Sequence, residues 1–162
     1  MEARQRTSWT AITVSFALAL ALMAVPLPGW LLPFRPDLVA LLVIFWSCAA
    51  PDKVGVGTGW LVGLLLDALQ YTLLGQNALT KCLLAFIGGR IAGSMKGYTA
   101  WQQALVVLAL LSLDIAVNML IRGAFALSTG GAWHWVGAVT GVLVWPLLGL
   151  MLRAPRRHPA LR

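Results

Sequence analysis

Apolar runs alternate along the chain with short polar or proline-rich breaks, and the runs are too long for strands. The first covers 9–25. At a helical rise of about 1.5 Å per residue, that length just spans a bilayer core. Segment 26–36 holds Pro26, Pro28, Pro33 and Pro36 with Gly29, which forbids a continuous helix. The next run, 37–50, ends at the turn Pro51, Asp52, Lys53. A third, 54–74, is interrupted by Asp67 and closed by Gly75, Gln76 and Asn77. The fourth is 78–93, followed by a loop with Lys96 and Gly97. The fifth is 101–120, ending near Arg122. After the loop 128–131 comes a sixth, 133–152, and then a basic, proline-broken tail, 153–162. The pattern predicts an all-α membrane protein of six transmembrane helices in one integral domain, without internal repeats.

Composition sharpens this reading. Of 162 residues, 60% are hydrophobic and 10% charged, with a mean hydropathy of +0.84. A soluble domain is about 45–50% apolar and about 25% charged. A water-soluble sphere of this size cannot hide so much apolar surface. Disorder, a coiled coil and a disulfide scaffold are excluded as well. The net charge of +7 would suggest nucleic acid in a soluble protein. Here the basic residues lie between and beyond the apolar runs, where they set topology and meet anionic lipid, so no nucleic-acid partner is expected. The first run resembles a signal peptide in having Ala17-Leu18-Ala19, but that triplet lies inside the apolar core, and retention as a first helix is expected.

Six spans put both termini on one side. Arg4 and Arg6 mark one end, and Arg153, Arg156, Arg157 and Arg162 the other. Both ends are expected in the cytoplasm by the positive-inside rule, with Lys53, Arg90 and Lys96. Only Arg35, Lys81 and Arg122 fall toward the outside. Cys48 then lies near the inner end of its span and Cys82 near the outer end of another, too far apart to bridge.

Small residues recur every four positions: Gly55, Gly59 and Gly63; Ala85, Gly89 and Gly93; Gly137 and Gly141. Such spacing lets helix backbones approach closely in lipid. These faces serve packing inside the monomer or the docking of another helix. Trp145-Pro146 is expected to kink the sixth span. Trp9, Trp30, Trp101, Trp133 and Trp135 lie near span ends, as an interface belt does.

Asp67 and Asp114 are the informative charges. A carboxylate within a span is costly and normally faces the bundle interior. Both fall in the outer half of outward-running spans, level with Arg35, Lys81 and Arg122. Asp114, Asn118 and Arg122 step by four and share a face; Asp67 shares one with Gln70 and Tyr71. A polar cluster below the outer surface is therefore expected. Three readings fit it: ties fixing helix register, a ligand pocket opening outward, or an ion path. The shared level argues against the path. No metal set or cofactor motif is present. His134 and His158 are separated by a whole span, and neither a Walker loop nor a GxSxG serine occurs. No catalysis is expected.

The residues also carry a likeness. Phe34-Arg35-Pro36-Asp37, then Ala50-Pro51-Asp52-Lys53 with Val56-Gly57-Thr58-Gly59, then Gly63 with Asp67, Leu74-Gly75 with Ala78-Leu79, Trp101-Gln102-Gln103 and Trp145-Pro146 follow one another in this order. Over 15–153 the chain resembles the rod shape-determining protein MreD family. The resemblance implies a non-enzymatic inner-membrane scaffold of the bacterial elongation machinery. It would bind MreC, alongside MreB, RodA and a class B penicillin-binding protein, and help organise lateral peptidoglycan synthesis. It also implies a fold similar to the membrane substrate-binding subunit of energy-coupling-factor transporters. That likeness leaves a second reading, a subunit binding a small molecule or lipid precursor. Asp37 stands where the family also uses Asn, so that carboxylate is not expected to be essential. The glycine face of span three or of span six is a candidate MreC dock. Arg153, Arg156 and Arg157 would meet cytoplasmic partners or anionic lipid.

Overall fold

A computed structural model describes residues 9–125, 127 and 134–152, and every regular element among them is helical. Helix α1 (Trp9–Ala24) stops just before Pro26. A short 3-10 turn, Leu32–Phe34, leads to α2 (Leu38–Ala49). Asp37 caps α2: its Oδ1 accepts from the Ala40 backbone N–H at 2.8 Å. Helix α3 (Val56–Gln70) ends at Tyr71, which turns left-handed at φ 52°. Helix α4 (Gln76–Met95) opens after Gly75, whose φ of 100° suits a residue without Cβ. Thr99 and Gln102 form a capping box at the head of α5 (Ala100–Ala124). Helix α6 (His134–Leu152) runs on through Pro146.

Helix α2 is the axis of the bundle. Residues 39–47 are all buried, which a helix apolar on every face requires. Trp46 donates its indole N–H to Ser15 Oγ of α1 at 2.9 Å. Phe45 meets Trp145 of α6 edge-on, with ring centroids 6.0 Å apart. The tightest helix pair is α3 on α4. A Cβ at Gly59 would sit 2.5 Å from the Lys81 carbonyl oxygen, and one at Gly63 would collide with the Ala78 backbone. Gly88 of α4 lies against Ser47 of α2, and Gly141 of α6 lies 2.7 Å from Leu111 of α5 by the same measure.

The outside of the bundle is apolar, with Leu18, Leu61, Leu105, Leu143 and Leu147 exposed, while Lys81, Asp67 and Asp114 are inside. That inversion suits lipid rather than water. Three stretches, Leu32–Ala49, Gln76–Met95 and Ala100–Ala124, are long and apolar enough to cross a membrane. Trp9–Ala24, Val56–Gln70 and Trp135–Leu150 are shorter apolar helices.

Several boundaries differ from the sequence reading. The third run ends at Gln70 instead of 74, because the chain turns there. The fourth helix starts at Gln76 and ends at Met95, and the fifth reaches Ala124. Arg4, Arg6, Arg153, Arg156, Arg157, Arg162, Trp133, His158 and the loop 128–131 lie outside the described residues.

Candidate functional site

One end of the bundle gathers the start of α2, the junction of α3 with α4, the late part of α5 and the head of α6. Lys81 sits in the second turn of α4, fully buried. Its Nζ donates to Asp37 Oδ2 at 2.7 Å and to Asp114 Oδ1 and Oδ2 at 2.8 and 3.0 Å. An ammonium has three N–H donors, and these contacts match them. One charge thus ties α2, α4 and α5 together. Asn118, one turn after Asp114, donates to the Asp114 backbone oxygen at 3.0 Å and accepts from Gln76 Nε2 at 2.8 Å.

Asp67 forms a second, adjoining knot. Its Oδ1 accepts from Thr72 Oγ1 at 2.8 Å, the Asn77 backbone N–H at 3.0 Å and Asn77 Nδ2 at 2.9 Å. Its Oδ2 accepts from the Gly75 and Ala78 backbone N–H groups at 2.9 and 3.3 Å. The first N–H groups of a helix lack intrahelical partners and carry a partial positive charge. A carboxylate at the end of α3 supplies that partner to α4. Among the described residues, no buried side-chain nitrogen or oxygen lacks a hydrogen bond.

Arg35 reaches back to α1. It donates from one guanidinium nitrogen to the Val25 carbonyl at 3.1 Å and from the other to the Leu22 carbonyl. It therefore satisfies the last carbonyls of a helix that ends before proline.

Between these groups lies a partly open cavity of about 210 Å³. Its lining includes the polar and charged residues Arg35, Asp37, Gln70, Gln76, Asp114, Asn118 and Arg122 and the apolar Leu111, Ile115 and Met119.

These contacts locate the residues singled out by sequence. Lys81, Asp114 and Asn118 come together, Arg35 and Arg122 border the same cavity, and Asp67 belongs to the adjoining knot. Tyr71 does not share the buried face of Asp67; its left-handed turn leaves it 97% exposed. Asp37, set aside in the sequence reading, is an integral partner of Lys81.

The glycine faces also need correction as docks. Gly59 and Gly63 are covered by α4. Gly137 lies over the Arg35 backbone oxygen at 3.1 Å for an added Cβ, and Gly141 meets α5. These four serve packing within the chain. Nothing lies within 4 Å of a Cβ added at Gly55, Gly89 or Gly93, and the α4 glycine that packs inward is Gly88. Cys48 and Cys82 are free thiols.

The profile of the family described as rod shape-determining protein MreD matches residues 3–154. The chain belongs to the MreD family. A rod shape-determining protein MreD of Haemophilus influenzae is 28% identical over 160 residues, covering 97% of each chain. No solved structure matches. Membership places this chain among rod shape-determining proteins. For an MreD-family chain, the residues that sequence reasoning missed are Asp37, Gln76, Asn77 and Thr72. The signal that could have found Asp37 is its place one residue after Pro36 at a helix start, which holds a carboxylate at bundle depth.

Proposed function

We propose that this protein is a non-enzymatic membrane scaffold that helps maintain rod shape by organising lateral peptidoglycan synthesis. It binds MreC and works in a complex with MreB, RodA and a class B penicillin-binding protein. The chain crosses the inner membrane six times with both ends in the cytoplasm, in an arrangement resembling the membrane substrate-binding subunit of energy-coupling-factor transporters. The polar cluster then faces the periplasmic side.

The observation that supports a scaffold is the mutual satisfaction of the buried charges. Lys81 is matched by Asp37 and Asp114, and Asp67 by donors of its own loop and the next helix. Groups tied in this way fix the register of four helices and present a rigid body to a partner. Because α4 covers Gly59 and Gly63 of α3 while Gly55, Gly89 and Gly93 stay open, the pair Gly89 and Gly93, one turn apart on α4, is the candidate face for the MreC helix.

Depletion in a rod-shaped host tests the function. Cells that round up, restored by the intact gene, support it; cells that keep their shape refute it. Co-purification tests the partner. Gly89→Leu with Gly93→Leu is expected to reduce recovered MreC while leaving the protein folded, and undiminished recovery removes this face as the dock.

A further inference from the structure

The hydrogen bonds at the polar end leave two amide oxygens over. Asn118 spends its amide N–H groups on the backbone and carboxylate oxygens of Asp114, so its Oδ1 turns to α4 and accepts from Gln76 Nε2 at 2.8 Å. That bond orients the Gln76 amide, with its oxygen on the other side. The Asp67 carboxylate orients the Asn77 amide in the same way, accepting from Nδ2 at 2.9 Å. Among the described residues, nothing donates to Gln76 Oε1 or Asn77 Oδ1. Gln76 is 6% exposed and Asn77 7%, and both line the cavity. No fully enclosed side-chain oxygen among the described residues lacks a donor, so these two meet the open space beside them. An amide oxygen this deep in a bundle is costly unless something in that space donates to it.

Charge does not choose the occupant. Asp37, Asp67 and Asp114 gather at this end with Lys81, Arg35 and Arg122, three carboxylates against three cations. The balance favours a neutral molecule. It has to donate to Gln76 and Asn77. Arg35 spends two N–H groups on α1, of the five in a guanidinium, and borders the same space, so an acceptor is served there too. A hydroxyl is the neutral group that donates and accepts at one atom. Water alone would satisfy the oxygens, but it makes no use of the half-buried Ile115 and Met119 of α5, which add aliphatic carbon to the lining. The volume of about 210 Å³ equals roughly seven waters at liquid density, room for one small ring.

We propose that this cavity binds a neutral polyhydroxyl ring, a sugar or cyclitol. Its hydroxyls donate to Gln76 Oε1 and Asn77 Oδ1, and its C–H face lies on Ile115 and Met119. A free ring and a ring carried as a lipid headgroup present the same chemistry. The proposal is independent of whether MreC is the partner.

Saturation-transfer NMR of the full chain in phosphatidylcholine nanodiscs tests it, because that headgroup has no O–H or N–H donor. Glucose and myo-inositol are the free probes, and transfer to at least one of them is expected. Permethylated glucose, which accepts but cannot donate, is expected to show none. Gln76→Met, which removes the acceptor, and Met119→Trp, which fills the aliphatic side without touching the amides, are each expected to raise the apparent Kd about tenfold. Gln103→Met, whose amide serves the Met95 and Tyr98 carbonyls at the opposite end of α5, is expected to leave it unchanged. Thermal unfolding of each variant reports whether it folds, and Met119→Trp carries the test where Gln76→Met does not. Transfer to neither ring, which leaves water as the occupant, equal transfer to the permethylated ring, or equal binding by all variants overturns the proposal. Glucosyl-diacylglycerol added to the nanodisc separates the sources: displacement of the free ring supports a lipid-borne one, and persistence of the free ring's signal supports a soluble one.

Discussion

At the residue scale, two carboxylates and one ammonium decide the inside of this bundle. Lys81 is 0% exposed and Asp114 is 6% exposed. Removing one member of a buried pair leaves an uncompensated charge and costs about 3–5 kcal/mol. Lys81→Met is therefore expected to lower the midpoint of thermal unfolding strongly. Adding Asp37→Asn and Asp114→Asn to it is expected to recover much of the loss, because no charge is then left alone. Calorimetry or intrinsic fluorescence in detergent measures both. Asp67 predicts a different pattern. Asp67→Asn keeps the shape but replaces an acceptor oxygen with a donor facing backbone N–H groups, at a cost of about 2–3 kcal/mol. Hydrogen exchange should then rise at Gly75, Asn77 and Ala78, at the head of α4. The sequence marked Asp67 and Asp114 as interior because charge in a span is expensive. It did not mark Asp37, whose partner is 44 residues away. A residue beside proline at a helix start looks like a boundary, and no local pattern reveals so distant a contact.

At the element scale, the glycine repeats were visible and their use was not. Spacing by four identifies a face that admits close approach, but the same spacing serves an internal neighbour or an external one. The structure assigns Gly59 and Gly63 to α4, leaving Gly89 and Gly93 open. Gly63→Leu is thus expected to push α3 off α4 and destabilise the fold by about 1–3 kcal/mol or more. Gly93→Leu is expected to change thermal stability by less than about 0.5 kcal/mol. A thermal scan of the two variants separates these roles. Helix ends were legible where proline stands, as before Pro26 and at Pro51. They were not legible at Tyr71, where a left-handed residue stops α3 without help from glycine or proline.

At the scale of the whole molecule, the helical class and apolar exterior follow from composition, because so few polar residues cannot cover a sphere in water. The order of packing around α2 was hidden, since a helix apolar on every side carries no direction. Topology is the remaining prediction. Cysteines placed singly before residue 9 and after residue 152, in a background with Cys48→Ala and Cys82→Ala, are expected to resist an impermeant thiol reagent in intact spheroplasts. A cysteine at Gly29 is expected to react. Labelling of one terminus but not the other would refute an even number of crossings.

The reach of Lys81 also bears on how the chain is made. Its first counter-ion precedes it by 44 residues, whereas the second follows by 33. Asp37 therefore leaves the ribosome before Lys81, and Asp114 after it. Until α5 emerges, Lys81 has only the earlier of its two counter-ions within reach. Chains cut after residue 99 should be cleared by membrane proteases far faster than chains cut after residue 127.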